Sequence, residues 1–94
     1  MSSDARAIAD HAATVIIALV DARGPDKSIC PSEAARVVAA ERGQPDEWRS
    51  LMQPVRDAAY DLAQAGTIEI TQRGVPCDVH SPPRGPIRLR IAVV

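Results

Sequence analysis

The sequence predicts a single α+β domain in which three helices precede a C-terminal β-hairpin. Apolar residues recur at every third or fourth position as far as residue 65, which indicates helices. Beyond Gly66 the apolar residues recur at every second position, which indicates strands. The chain has 94 residues, enough for one domain and too few for two, so the domain is expected to cover residues 1–94.

The first helix is predicted near residues 3–22, where apolar side chains fall on one helical face. These side chains are Ile8, Ala12, Val15, Ile16 and Leu19. Gly24 and Pro25 are expected to end this helix, because neither residue continues a helix well. After this polar turn, Ser28 and Ile29 are predicted to form a short extended segment.

The second helix is predicted near residues 31–42. Pro31 suits the first helical position, because its missing N–H would have no intrahelical partner there. Glu33 then occupies the third position, where its carboxylate can accept a hydrogen bond from the backbone of Cys30, the predicted cap residue. Gly43 is expected to end the helix.

The third helix, near residues 46–65, has the longest helical periodicity in the chain. Its apolar positions are Trp48, Leu51, Met52, Val55, Ala59, Leu62 and Ala63. Pro54 lies inside this run and removes one intrahelical hydrogen bond. It predicts either a kink near Ser50 or a short helix followed by a longer one that starts at Pro54. Gly66 is expected to close the helix.

Trp48 has two interpretations. The chain has one Trp, one Tyr and no Phe, so a tryptophan on an apolar helical stripe is expected to anchor the core. The alternative is an exposed platform on which a nucleic-acid base stacks.

Two β-strands are predicted in the regions 67–72 and 87–91, where Ile and Leu alternate with polar residues. The segment from Arg73 to Pro86 has no periodicity and is rich in Gly and Pro, so it is predicted as one long loop. The order of elements predicts a winged helix, which is a helix-turn-helix followed by a hairpin wing. The hairpin is expected to pack on the helices, because a lone hairpin is marginally stable. The predicted shared core comprises Trp48, Leu51, Val55, Leu62, Ile68 and Leu89.

Composition excludes several classes of protein. Apolar residues make up 46% of the chain, which argues against disorder. Asp4 and Asp10 lie where a signal peptide would be basic and then apolar. The apolar run Ala12–Val20 is much shorter than the roughly 20 residues that cross a bilayer. We therefore expect a cytoplasmic protein that makes no membrane contact.

No catalytic or metal-binding motif stands out in the sequence. The histidines and cysteines include one pair with zinc-like spacing, Cys77 and His80, which is half a site. We expect no metal, no cofactor and no enzymatic activity. Cys30, at a predicted helix N-terminus, is either a reactive thiol that senses redox state or a small buried side chain. Cys77 is expected in an exposed loop.

Five stretches carry a resemblance to known proteins: Cys30–Arg36, Trp48–Met52, Val55–Arg56, Thr71–Gly74 and Gly85–Arg88. Together they resemble a family of short bacterial proteins that is classed as a domain of unknown function with a predicted winged-helix fold. The resemblance extends roughly from Val15 to Ile91. It implies the fold and carries no activity that can be transferred to this chain.

The C-terminal third is the cationic part of a chain whose net charge is −1. Residues 1–65 hold seven basic and ten acidic side chains, whereas residues 66–94 hold four basic and two acidic ones. The four are Arg73, Arg84, Arg88 and Arg90. Guanidinium groups bind phosphate bidentately, so these arginines are predicted to contact the phosphates of DNA. The alternative is that they pair with Glu69 across the hairpin, or with Asp57 or Asp61.

The third helix is the expected recognition helix of such a protein. Arg49 and Gln53 are predicted to read base edges, and Arg56 is predicted to contact nucleic acid beside them. The same helix has four acidic residues that repel phosphate: Asp46, Glu47, Asp57 and Asp61. The sequence favours a winged-helix protein that binds duplex DNA, as an accessory transcriptional regulator. The alternative is a protein-interaction module that binds no nucleic acid and whose wing arginines meet an acidic partner.

Overall fold

The computed structural model describes residues 3–78 and 85–92, and for residues 3 and 4 it describes the backbone alone. Three α-helices and one 3-10 helix precede a small antiparallel sheet, so the predicted α+β class is confirmed. The helices are α1 (Ser3–Arg23), α2 (Pro31–Glu41), a 3-10 helix (Pro45–Leu51) and α3 (Met52–Gln64). The strands are β1 (Ile68–Gln72), β2 (Val75–Pro76) and β3 (Arg88–Ile91).

Local signals set the helix ends as expected. At the start of α2, the backbone N–H of Cys30 donates to Oε2 of Glu33 at 2.8 Å. At the end of α3, Gly66 has a φ of 82°. The N–H of Gly66 donates to the carbonyl of Ala63, and the N–H of Thr67 donates to that of Leu62. These bonds satisfy carbonyl groups that the end of a helix would otherwise leave unpaired.

The third helical region is divided in two, in agreement with the second alternative predicted from Pro54. The 3-10 helix ends at Leu51, and α3 begins at Met52, two residues before the proline. Pro54 therefore lies in the first turn of α3. Backbone N–H groups in a first turn have no intrahelical acceptor, so the missing N–H costs little there.

The part of the wing between β1 and β3 differs from the one long loop that was predicted. The strand order is β2-β1-β3, and β1 pairs with β3 in a register that places Ile68 opposite Ile91. β1 also turns through Arg73 and Gly74 into the short strand β2. These two residues have φ values of 54° and 81°, as a two-residue hairpin turn of type I′ requires. The prediction was wrong here because Asn-Gly or Asp-Gly, and not Arg-Gly, is the usual signal for this turn.

The predicted extended segment joins the helices to the sheet. Ile29 forms an antiparallel bridge with Leu89, with N–H to carbonyl distances of 2.7 and 2.8 Å in the two directions. The bridge lies on the side of β3 away from β1. The order of helix, bridge, two helices, strand, wing and strand is that of a winged helix.

One core connects the helices and the sheet. Its larger buried side chains are Val15, Ile16, Val20, Ile29, Val38, Leu51, Val55, Ile68, Ile70, Ile87 and Leu89. Four of the six predicted core residues are among them. The other two, Trp48 and Leu62, are half-buried and pack against this cluster. The inner face of the hairpin is thus covered by helices, as expected.

Candidate functional site

The structure places two arginines over one aromatic ring at the junction of α2 and the 3-10 helix. The guanidinium carbon of Arg36 lies 4.3 Å from the centroid of the Trp48 ring, and that of Arg49 lies 4.6 Å from it. Both distances are within the range of a cation–π interaction. Trp48 thus packs on the core, as expected of an anchor, and also orients two cations.

Arg36 is a residue that sequence reasoning did not single out. It lies on the exposed side of α2, and Trp48 follows it by twelve residues. No periodicity or motif links positions so far apart. Their contact depends on how α2 packs against the 3-10 helix, which is a tertiary property. Arg49, by contrast, was predicted as a nucleic-acid-binding residue from its place on the third helix.

The other two predicted residues of the third helix have different surroundings. Gln53 is exposed, and its Nε2 donates to Oδ1 of Asp57 at 2.8 Å, one turn further along α3. A bidentate contact to adenine would have to replace this bond. Arg56 is half-buried, and no carboxylate among the described residues lies within ion-pair distance of it.

Arg90, on the wing, has the partner that the alternative interpretation proposed. Its Nε donates to Oε1 of Glu69 at 2.7 Å, across the β1–β3 pair. The Arg90 and Glu69 side chains are 33% and 36% exposed. A phosphate would therefore compete with a partner that is already in place.

Arg88 connects the wing to the loop between α1 and α2 through hydrogen bonds. Its Nε donates to the hydroxyl of Ser28 and its Nη2 donates to the Ser28 carbonyl, both at 2.9 Å. Arg23 donates to the same carbonyl at 3.1 Å and forms an ion pair with Glu33. Two guanidinium groups thus meet at one backbone oxygen. Arg88 is exposed, yet it has a structural role that strand alternation did not predict.

Arg73 lies in the tight turn of the wing and is exposed. Within residues 3–78 and 85–92, no carboxylate lies within ion-pair distance of it. Arg84, the fourth arginine predicted to bind phosphate, lies outside the described residues, as does His80. The described arginines among those predicted therefore do not form one cluster: Arg49 and Arg56 lie on the helices, whereas Arg73, Arg88 and Arg90 lie on the wing.

The acidic residues of the third helical region are exposed, as the sequence suggested. Asp46 and Glu47 lie on the 3-10 helix, and Asp57 and Asp61 lie on α3. With Arg49 and Arg56, they give residues 45–64 a net charge of −2. This segment therefore offers a mixed electrostatic surface, cationic beside Trp48 and anionic along the exposed side of α3.

In the described part of the chain, neither cysteine belongs to a group of side chains that could hold a metal ion. Cys30 is half-buried, and its Sγ accepts a hydrogen bond from Ser32 Oγ at 3.1 Å. Cys77 follows β2 outside the helices and strands, as expected, and its N–H donates to the carbonyl of Ile70. It is half-buried against the core, so the expectation that it is exposed was wrong. Residues 3–78 and 85–92 contain no group of three or more His, Cys, Asp or Glu side chains that could hold a metal ion. In the same residues, no helix is long and apolar enough to cross a membrane.

Comparison with known proteins identifies a family whose function is unknown. A search of the curated proteins finds no match to this chain. A family model described as "Protein of unknown function (DUF3253)" matches residues 9–92, which include every helix and strand described above apart from the first residues of α1. The protein therefore belongs to this family of unknown function, as its sequence stretches suggested.

Proposed function

We propose that this protein binds duplex DNA through its helix-turn-helix and its wing, as an accessory transcriptional regulator. The observation that carries the proposal is the pair of guanidinium groups held over Trp48. Arg36 and Arg49 are both exposed, and among the described residues no carboxylate lies within ion-pair distance of either. A ring contact orients a guanidinium group without using its N–H donors, so both groups remain able to bind phosphate.

The place of this pair in the fold supports the proposal. In helix-turn-helix proteins, the first helix crosses the DNA backbone and the N-terminal residues of the second helix contact base edges. Here Arg36 lies on α2, the first helix of the motif, and Arg49 lies just before α3, the second. Side chains that are ordered before binding lose less conformational entropy when the complex forms.

The acidic side of α3 limits the affinity. Asp57 and Asp61 repel phosphate, so we expect weak binding that depends strongly on salt. Among the described arginines, the proposal assigns phosphate contacts to Arg36, Arg49, Arg73 and Arg88. If each neutralises one phosphate, the slope of log K against log salt concentration is about −3.6.

The test is a salt titration of binding to random-sequence duplex DNA between about 20 and 200 mM salt. Arg36→Gln and Arg49→Gln should each flatten the slope by about 0.9, because each removes one phosphate contact. Arg6→Gln is the matched control, since Arg6 is exposed on α1, outside the helix-turn-helix and the wing. Absence of binding at about 20 mM salt, or slopes equal to that of the wild type in both variants, would overturn the proposal.

Trp48→Leu separates the role of the ring from that of the charges. This variant keeps both arginines and removes the surface that orients them. We expect affinity to fall roughly fivefold to tenfold while the salt slope stays unchanged, because the number of charges is the same. Circular dichroism establishes that the variant is folded. Unchanged affinity in a folded variant would show that the ring does not prepare the arginines for binding.

The second candidate is a protein-interaction module, which the exposed carboxylates of α3 favour. In that role the wing arginines contact an acidic partner. The double variant Asp57→Asn with Asp61→Asn discriminates the two functions. A DNA-binding protein should gain affinity for duplex when these two charges are removed. If neither the wild type nor the variant binds DNA at low salt, the interaction module replaces the DNA-binding proposal.

A further inference from the structure

A pocket of about 330 Å³ lies where the end of β1 meets the start of β3, and among the described residues that line it the charged ones are both arginine. Arg73 and Arg88 line it together with Gln72, Pro86 and Ile87. Within the described residues, neither arginine has a carboxylate within ion-pair distance. Pro86 and Ile87 add an apolar contribution, which limits how well water can solvate a charge beside them. The pocket thus combines two cations with a partly apolar wall.

The backbone of Arg73 gives a second, independent observation. Among the described residues, Arg73 is the one non-glycine residue with a positive φ, at 54°. A side chain with a Cβ is disfavoured in this left-handed region, and Gly, Asn and Asp dominate such positions in type I′ turns. An arginine here costs conformational free energy that a glycine would not. Unfavourable backbone conformations of this kind concentrate at ligand-binding positions.

Arg88 is held in a fixed orientation beside this pocket. Its Nε and Nη2 donate to the hydroxyl and the carbonyl of Ser28. These bonds use one edge of the guanidinium group and restrict its rotation. The N–H groups of Nη1 and the second N–H of Nη2 have no acceptor among the described residues. The free edge of Arg88 is therefore preorganised to donate to an anion.

From these observations we infer that the pocket binds a phosphate group between Arg73 and Arg88. A phosphate has enough acceptor oxygens to bind two guanidinium groups at once, and each arginine favours bidentate hydrogen bonds to phosphate. Two sources supply this chemistry: a phosphodiester of the DNA backbone, and free phosphate or a small phosphate monoester. The inference rests on the proposed function for the first source only.

Inorganic phosphate is the probe for the site itself. It is titrated into the isotope-labelled full chain at constant ionic strength, with sodium chloride as the control, while the Nε–Hε resonances of the arginines are followed by NMR. We expect saturable shifts at Arg73 and Arg88, and no saturable shift at Arg6, which is exposed on α1. Shifts that do not saturate, or equal shifts with chloride, would overturn the inference.

Arg73→Gly tests whether the arginine is kept for binding. The variant should raise the phosphate dissociation constant at least fivefold and leave the thermal midpoint unchanged or higher, because glycine suits this backbone conformation. Arg73→Lys should recover part of the affinity, since it restores the charge without the planar guanidinium group. A lower thermal midpoint in Arg73→Gly would instead assign Arg73 a structural role and overturn the inference.

A second arm with duplex DNA separates this inference from the proposed function. If the DNA backbone supplies the phosphate, Arg73→Gly flattens the salt slope by about 0.9. Phosphate binding without any DNA binding would leave the pocket in place, assign it to a free phosphate compound and remove the DNA function. DNA binding with a slope that Arg73→Gly does not change, and no saturable phosphate shifts, would remove the pocket and leave the DNA function.

Discussion

The helix-turn-helix and the wing both display arginines, but they hold them differently. Arg36 and Arg49 rest on the face of Trp48, whereas Arg88 and Arg90 donate hydrogen bonds to Ser28 and Glu69. A ring contact leaves all N–H groups of an arginine available to a ligand, and a hydrogen bond uses some of them. Side chains of the same type, all near the surface, therefore differ in their capacity to bind an anion.

Secondary structure explains part of this difference. On a helix, a side chain contacts the side chains three and four positions away. The residues four positions from Arg36 are Ser32 and Ala40, and neither is a carboxylate. Glu33, three positions away, pairs with Arg23 and caps α2. In the sheet, side chains meet directly across strands, so the register brings Glu69 opposite Arg90. The register thus supplies Arg90 with a counter-charge, whereas the neighbours of Arg36 on α2 supply none that is not already paired.

Leu89→Ala should have the largest effect, because the wing depends on the helices for its stability. Leu89 is completely buried, and its backbone bridges Ile29 while β3 pairs with β1. The substitution should lower the free energy of unfolding by about 3 kcal/mol, measured by urea denaturation. Val75→Ala is the control: Val75 is 64% exposed on β2, and its loss should cost less than about 0.5 kcal/mol. A cost below about 1 kcal/mol for Leu89→Ala would mean that the wing is not part of the core.

The helices and the wing also differ in how well their structure could be predicted from the sequence. The helices were predictable because their ends carry local signals, such as Pro31 with Glu33 and Gly66. The strands β1 and β3 were predictable because alternation needs no distant information. The turn at Arg73 was not, because its residue pair is unusual for the backbone conformation that it adopts. The candidate site was only partly predictable, because the contacts of Arg36 with Trp48 and of Ser28 with Arg88 join distant parts of the chain.

Glu33→Ala tests how much the cap at the start of α2 contributes to the free energy of unfolding. The carboxylate accepts from the backbone of Cys30 and pairs with Arg23, and both interactions are lost in alanine. The free energy of unfolding should fall by about 1 to 2 kcal/mol. Glu33→Gln keeps an acceptor for the backbone N–H and should lose less than half of that amount. Equal losses in the two variants would show that the charge, and not the cap, is what matters.

Pro54→Ala should have a smaller effect, because the helix break has already accommodated the ring. Pro54 lies in the first turn of α3, where no intrahelical bond is lost. Alanine releases the unfolded chain from the constraint of proline, which costs up to about 1 kcal/mol of stability. The affinity for DNA should not change, because Arg49 is oriented by Trp48. A large gain in helical circular dichroism with a loss of binding would show that the break itself positions Arg49.

Glu69→Gln should have the smallest effect on stability. It tests directly whether the counter-charge on the wing is what distinguishes Arg90 from the arginines on the helices. The Arg90–Glu69 pair is about one third exposed on both sides, so its loss should cost about 0.5 kcal/mol or less. The variant removes the counter-charge that the register places opposite Arg90, and the wing arginine then resembles those on the helices. If the wing contacts DNA phosphates, the slope of log K against log salt should become steeper by up to about 0.9, because one more guanidinium group can neutralise a phosphate.

Glu41→Gln is the control, because it removes one carboxylate charge at the end of α2, where the partner is His11. A stronger affinity in both variants to the same extent would indicate a general effect of net charge. A change confined to Glu69→Gln would place Arg90 at the DNA surface, and no change in either would leave contact with DNA to the helix-turn-helix and the rest of the wing.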